Sequence, residues 1–440
     1  MRHNARMHRR NFLRNLGAAP LALGAAAVPP SAQAAPPPAA TGAAAYPRQA
    51  NVFLAHRIGT DHCEGLCLLD MNGDGRLDIA SGAYWYENPG PRGIVWKRHQ
   101  HRKVTAWGFT VDHLTTTEFV SDCGEFAIDV NHDGAPDIVS AAWQTDGIWW
   151  YENPKRGGVL WQPHRICPSL HTEGMVMGDL DGDGRDELAA AHYTPSALIW
   201  INFAGPAPRV HYAGGKTADG HGVGIADING DGRADLLSIH GWLENVDAAR
   251  DRWRWHPEWE LGETGFPILG YDVNDDGKMD LIYGHGHNFG LYWLEQTTFR
   301  GRRHWRRHLI DDSFSEVHAL KLADIDGDGE LELITGKRYR ADPDPGLFWP
   351  LVVYYYKLDR RNARFTRYPL SYNGTAEIGT QIWVADIDGD GDQDILLAGK
   401  TGVHWLENLR VDKLPIALRN QEVLFNRDWP FPGETTRHHG

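Results

Sequence analysis

Residues 179–192 read DLDGDGRDELAAAH: a series of carboxylates, Asp179, Asp181, Asp183 and Glu187 among them, runs directly into a hydrophobic stretch. The hexapeptide D-x-[DN]-x-[DN]-G at its start sets oxygen ligands at alternate positions around a turn that glycine permits, which suits a hard cation such as Ca2+. The pattern begins again at Asp70, Asp129, Asp227, Asp272, Asp324 and Asp386, and the seven copies are spaced 59, 50, 48, 45, 52 and 62 residues apart. Periods of this size belong to propellers and solenoids.

Each copy has the same companions. A short apolar segment precedes the first aspartate (EGLCLL before Asp70, HALKLA before Asp324), and a second follows the loop (LDIASG, LELITG). A third carries a tryptophan, often followed by Glu-Asn, at Trp85, Trp150, Trp242, Trp293 and Trp405. A fourth reads Trp-x-x-His, at Trp96, Trp161, Trp253 and Trp305. Four β-rich segments per unit with turns between them predict an all-β chain built of blades. The last copy lacks its fourth segment, whereas an unattached FLAHRI stands at residues 53–58, ahead of the first copy. A solenoid gains nothing from that permutation, but a ring does. The expected fold is a seven-bladed β-propeller over residues 51–410, with calcium-binding loops and an N-terminal strand that closes the last blade.

The first, third, fifth and ninth positions of each loop form the expected ligand sets. They are Asp70, Asn72, Asp74 and Asp78; Asp129, Asn131, Asp133 and Asp137; Asp179, Asp181, Asp183 and Glu187; and Asp227, Asn229, Asp231 and Asp235. The remaining three are Asp272, Asn274, Asp276 and Asp280; Asp324, Asp326, Asp328 and Glu332; and Asp386, Asp388, Asp390 and Asp394. The twelfth-position Glu of an EF-hand is missing, with Ser81 and Ala190 in that slot, so the ninth-position acid closes the site. Structural Ca2+, tying the first strand of a blade to the second, is the expectation; solvated acidic turns are the alternative. The chain has 44 Lys and Arg against 58 Asp and Glu, a formal −14. Losing the five arginines of the leader takes this to −19, and seven divalent ions would bring it to about −5.

Residues 1–34 read as a twin-arginine signal peptide. Arg9 and Arg10 precede Phe12 and Leu13, the apolar stretch 16–28 is too short to span a bilayer, and Ala32-Gln33-Ala34 offers a cleavage site. A periplasmic or secreted protein is expected, with an Ala/Pro-rich linker at 35–50 and a C-terminal tail at 411–440. No later stretch reads as a membrane span, and no basic patch interleaved with aromatics points to nucleic acid. The four cysteines, Cys63, Cys67, Cys123 and Cys167, are compatible with disulfides or with buried thiols.

If the acidic loops lie on one face, the opposite face collects the entries to the first strands and the turns after the second. Upstream of the aspartates these columns hold His62, Glu64, His171, Glu173, His221 and His318; downstream they hold Tyr84, Trp143, Tyr193, His240, His285, His287, Lys337, Arg338 and Lys400. His-x-Glu and His-x-His put both members on one side of an extended segment. His171 oriented by Glu173, with His221 nearby, is the expected base region. His240, His285 and His287 are the expected ligands of a second ion, Zn2+ or another divalent metal. That ion, or Lys337 and Arg338, would stabilise an enolate, and Tyr193 or His318 would protonate a leaving group. His62, Glu64, Tyr84, Trp107, Trp143, Tyr339 and Lys400 are expected to bind a carbohydrate, with Trp107 and Tyr339 lying in insertions at 100–121 and 338–350. His99, His164, His256 and His308 of the Trp-x-x-His segments are expected to be structural.

The acidic repeats resemble the FG-GAP/VCBS repeats of seven-bladed propellers, integrin heads among them. YWYENPGP at 84–91, the Trp-x-x-His strands and His-x-Glu-Gly ahead of the loop are similar to the propeller domain of the aldos-2-ulose dehydratase family. That resemblance implies a carbon–oxygen lyase removing water by β-elimination from a keto-sugar such as 1,5-anhydrofructose. The family continues into cupin domains, for which the 30 residues after the last blade leave no room, so an associated isomerase activity is not expected. The alternatives are a non-catalytic propeller binding a glycan or a protein, and a uronate polysaccharide lyase using Lys337, Arg338 and Lys400 to neutralise a carboxylate.

Overall fold

Each acidic loop reverses the chain between two antiparallel strands, as where Cys67–Leu69 pairs with Asp78–Ser81 and Met175–Gly178 with Glu187–Tyr193. In the computed structural model, residues 51–91, 93–106, 109–111, 122–168, 171–193, 196–215, 221–340 and 344–410 are described; the expected leader, linker and tail lie outside them. Among these residues the strands form seven four-stranded antiparallel sheets and one short ribbon, Val104–Ala106 with Phe109–Val111. The first strands are Cys67–Leu69, Gly124–Ile128, Met175–Gly178, Val223–Ala226, Leu269–Tyr271, Leu320–Ala323 and Ile382–Ala385. First strands lie against one another between the first and second, third and fourth, fourth and fifth, and sixth and seventh sheets. The protein is a seven-bladed β-propeller.

Both faces of each blade are covered, which explains why its middle strands read as near-continuous apolar runs. Side chains alternate across a strand, so one strand serves two interfaces. Val403 and Trp405 pack with Leu66, Ile79 and Tyr86 of the first blade, whereas Leu406 packs with Ile334, Val353 and Tyr355 of the sixth. The core is therefore a series of blade–blade interfaces around a ring. The last blade takes its outer strand from the other end of the propeller: Asn51–Gly59 pairs with Gly402–Arg410, with His56 opposite Trp405.

The Trp-x-x-His signature does two jobs. Its histidine stacks on the tryptophan directly opposite in the neighbouring strand: Trp85 on His99, Trp150 on His164, Trp242 on His256 and Trp293 on His308, all at 4.3–4.4 Å between centroids. His56 repeats this with Trp405 at 4.6 Å, as the orphan strand should. In each of these blades the ring Nε2 also meets the glutamate two residues after the tryptophan, as His99 does with Glu87 at 2.9 Å and His56 with Glu407 at 2.6 Å. The signature's own tryptophan reaches the preceding blade, Trp96 against Trp405 and Trp253 against Trp200.

Deleting residues 51–59 would leave Gly402–Arg410 as an unpaired edge, which templates association. Size-exclusion chromatography of the truncated chain is expected to show aggregate; a stable monomer would contradict the ring.

Candidate functional site

The face opposite the acidic loops converges on one cation. Arg338 follows the second strand of the sixth blade, Glu332–Gly336, and is 5% exposed. Its guanidinium grips both oxygens of Glu64 at 2.5 Å and reaches Glu173 Oε1 at 2.8 Å. The other oxygen of Glu173 meets His221 Nε2 at 2.9 Å. One chain of contacts thus joins the first, sixth, third and fourth blades. Burial alone would raise the Glu173 carboxyl, but Arg338 and then His221 outweigh it and hold it well below the usual carboxylate range. The same two carboxylates push the Arg338 guanidinium further up against its own burial.

Three histidines complete the floor. His221, His287 and His318 each bring a ring nitrogen within 4.8 Å of the others, and their rings lie 4.8–5.6 Å apart. Burial pushes His287 down to about 4 and His318 well below the usual range, so both rings are neutral at pH 7, the form that ligates metal. His221 Nε2 faces the Glu173 carboxylate, which accepts from it. A carboxylate behind a histidine is the support that metal-binding imidazoles usually have. The donor set fits Zn2+ or a similar ion. His318 Nδ1 also lies 3.5 Å from Glu316, whose carboxyl burial and Asp344 raise to about 8.

His171 stands apart from Glu173. Its φ of +62° breaks the extended conformation on which the same-side expectation for His-x-Glu rested. Its ring instead lies tilted against Trp143, 4.4 Å between centroids, and its Nδ1 lies 3.0 Å from the Trp143 carbonyl oxygen. Donation from Nδ1–H places the His171 lone pair on Nε2. Trp143 also meets His221 edge-on at 5.9 Å, so His171 borders the histidine floor.

The other expected ligands divide. His285 Nδ1 faces the Phe289 carbonyl at 3.2 Å, and His240 pairs with Glu260 at 2.7 Å, so the three-histidine group forms around His221 and His318 rather than around His240 and His285. Two further cations are also engaged by acids. Lys337 bonds Asp344 and Ser315, each at 2.8 Å, and Lys400 lies 3.9 Å from Glu64 and donates to the Arg340 carbonyl at 2.6 Å. Tyr84 lies under the Arg98 guanidinium, His62 is half-buried, and Tyr339 donates its backbone N–H to Glu377. Trp107 and the Tyr193 side chain lie outside the described residues. Glu377, buried and bonded also by Thr401 N–H at 2.6 Å, and Gln381 were not singled out from the sequence. Gln381 Oε1 accepts from Leu66 and Glu125 N–H, each at 2.9 Å, and so ties the seventh blade to the first and second. Neither lies in the columns that collect histidines, and a lone Glu or Gln carries no motif.

On the opposite face, the ninth-position acids are buried clamps. Asp78 accepts Met71 N–H at 2.9 Å and Asn88 N–H at 2.7 Å, and Asp235 does the same with Ile228 and Asn245. Burial raises Asp78 and Asp137 to about 6, and Glu187, Asp235, Asp280, Glu332 and Asp394 to about 7. The first-position oxygens also accept backbone N–H groups, as Asp70 does from Gly73 at 2.7 Å and Gly75 at 2.8 Å. Asp179, Asp181 and Glu187 bring one oxygen each within 4.8 Å of one another, and the concentrated, partly desolvated carboxylate set fits Ca2+.

Residues 129–190, 179–238 and 272–335 match the family model of the FG-GAP-like repeat. The chain therefore carries FG-GAP-like repeats in a seven-bladed propeller. It is 25% identical over 305 residues to aldos-2-ulose dehydratase of Phanerodontia chrysosporium, covering 57% of this chain and 33% of that one. With cartilage acidic protein 1 of Homo sapiens the identity is 24% over 397 residues, 76% of this chain and 56% of the relative. The chain spans a third and just over half of the lengths of these two proteins. Among solved structures, a rhamnogalacturonan lyase of Bacillus licheniformis shares 14% identity at a TM-score of 0.38, over 81% of this chain and 75% of that one. Among the described residues no helix is long and apolar enough to cross a membrane.

The raised ninth-position acids set a pH dependence. Their folded values lie above the 3.8 and 4.5 of free Asp and Glu, so the ion-free folded state holds extra protons; the associated stability is present at low pH and is lost as pH rises through about 6 to 7. In chelator the melting temperature is expected to fall between about pH 5 and 7.5, and added Ca2+ to restore more at the upper end than at the lower. A flat profile in chelator would contradict this reading of the clamps.

Proposed function

We propose that the chain is an exported, carbohydrate-active lyase that removes water from an uncharged keto-sugar by β-elimination at the histidine floor. The observation that carries this reading is the group His221, His287 and His318, with ring nitrogens within 4.8 Å of one another and the Glu173 carboxylate behind His221. The weak likeness to a dehydratase supports it. His221, His287 and His318 would hold a divalent ion, which would supply Lewis-acid chemistry for a keto oxygen next to the proton that leaves. His171 Nε2 is the base for that proton, with its ring held by Trp143, and the imidazolium so formed gives the proton to the departing hydroxyl, which leaves as water. Arg338 is a positioning residue: it fixes Glu173, and through it the His221 ring. Acidic loops of the opposite face, the third among them, would hold Ca2+ as a scaffold ion.

A uronate substrate is the weaker reading on a specific ground. Such a lyase needs spare positive charge for the substrate carboxylate, and Lys337, Arg338 and Lys400 are each buried beside acids, Asp344, Glu64 with Glu173, and Glu64. A neutral substrate asks for no such charge.

Incubation with 1,5-anhydrofructose is expected to give an unsaturated, ultraviolet-absorbing product, and a uronate glycan none. His171→Ala should lower kcat by roughly 10²- to 10⁴-fold with KM little changed, and His318→Ala should remove both the product and one equivalent of bound zinc. His164→Ala, in an outer strand, should lower the melting temperature and leave the rate. Glycan affinity without product, across a panel of sugars, would favour a binding propeller instead.

A further inference from the structure

The residue two positions after the third-strand tryptophan is glutamate in five blades, Glu87, Glu152, Glu244, Glu295 and Glu407. In the sixth blade the equivalent strand, Val352–Asp359, carries Tyr355 in place of tryptophan and Lys357 in place of that glutamate. The partner changes with it: Tyr355 stacks on Tyr368, 5.0 Å between centroids, where other blades stack tryptophan on histidine. Lys357 thus has no histidine to hold, and its side chain turns into the acidic loop of its own blade. Its Nζ bonds Asp326, lies 3.2 Å from Asp328 and 3.8 Å from Glu332. Those are the third, fifth and ninth positions of the expected ligand set.

Other loops are touched by basic residues in a different way. Arg76, Lys155, Arg233 and Lys278 each reach the fifth-position aspartate of their loop, Asp74, Asp133, Asp231 and Asp276, and Arg360 reaches the first-position Asp272 at 3.1 Å; each of these contacts engages one ligand position, whereas Lys357 engages three. The third blade is the informative comparison, because there too the ninth acid is a glutamate and the third strand lacks Glu-Asn. Asn202 stands at the Lys357 position and donates to Asp181 at 2.9 Å and Glu187 at 3.0 Å. That contact reaches the third and ninth positions, as Lys357 does, and is electrically neutral. In the sixth blade it delivers a full positive charge to oxygens that a divalent ion would need, and the two cations would repel at contact distance.

We infer that the sixth loop takes no divalent ion because the Lys357 ammonium is its resident cation, an inference that rests on the calcium reading of the other loops. The propeller then holds fewer ions than it has acidic repeats, and the sixth blade keeps its loop closed in chelator.

Calcium bound per chain, counted by elemental analysis after dialysis against Ca2+, tests this in the full-length protein. Lys357→Met is expected to bind one ion more than the wild type. Asp326→Ala is expected to leave the wild-type count unchanged, whereas Asp181→Ala lowers it by one. An unchanged count in Lys357→Met, or a loss of one ion in Asp326→Ala, would overturn the inference. The second arm stands even if the methionine variant fails to fold. A wild type that binds no calcium would sink the underlying reading of the loops instead, and the two failures are told apart by that count.

Discussion

A carboxylate buried at the start of each second strand connects every level of this propeller. Asp78 shows how: it binds the backbone of its own loop through Met71 N–H and the backbone of the third strand through Asn88 N–H. The Asn88 amide then donates to the Ile387 carbonyl of the neighbouring blade at 2.8 Å. Asn245 to Leu180, Gln296 to Ile228 and Asn408 to Ile325 repeat the link. A single acid thus couples loop, blade and ring. Leaving such a group buried without its partners costs more than the bonds themselves contribute, which is why one residue type recurs at this position.

The division of labour between the two faces follows from that arrangement. On the loop face the carboxylates are close together and concerned with holding strands. On the other face the first strands enter the centre free of that duty, so their entry residues point at the axis from every blade. Seven such entries meet in one place, and a cluster of Glu64, Glu173, Arg338 and His221 can be assembled from residues that are up to 274 positions apart in sequence. Strain is kept at this face as well: His171 and Glu316, both eight residues before their aspartates, have φ of +62°. Non-glycine residues hold that conformation only where the surroundings over-determine it.

The blades are repeats in fold but not in chemistry. The third and sixth replace the ninth-position Asp by Glu and lose the Asn that follows Glu in the third strand. The longer acid is met there by Asn202 or Lys357. At the junction of the fifth and sixth blades, Arg360 takes over the missing link, bonding the Asp272 carbonyl at 3.0 Å and its carboxylate at 3.1 Å. Departures from the repeat therefore come as compensated sets.

The sequence by itself determined the number of blades, the acidic loops and the permuted outer strand, because each is a local pattern repeated at a fixed period, and repetition averages out the ambiguity of any single copy. The columns it picked out include Glu64, Glu173, His221, His287, His318 and Arg338, which the structure brings together. Which of those residues meet was decided only by the tertiary structure. Glu173 turned to Arg338 and His221 rather than to His171, because one left-handed residue removed the two-residue alternation. His287 joined His221 and His318 while its near neighbour His285 did not. Contacts across the axis depend on side chains arriving from different blades, and no spacing within one repeat encodes the distance to another.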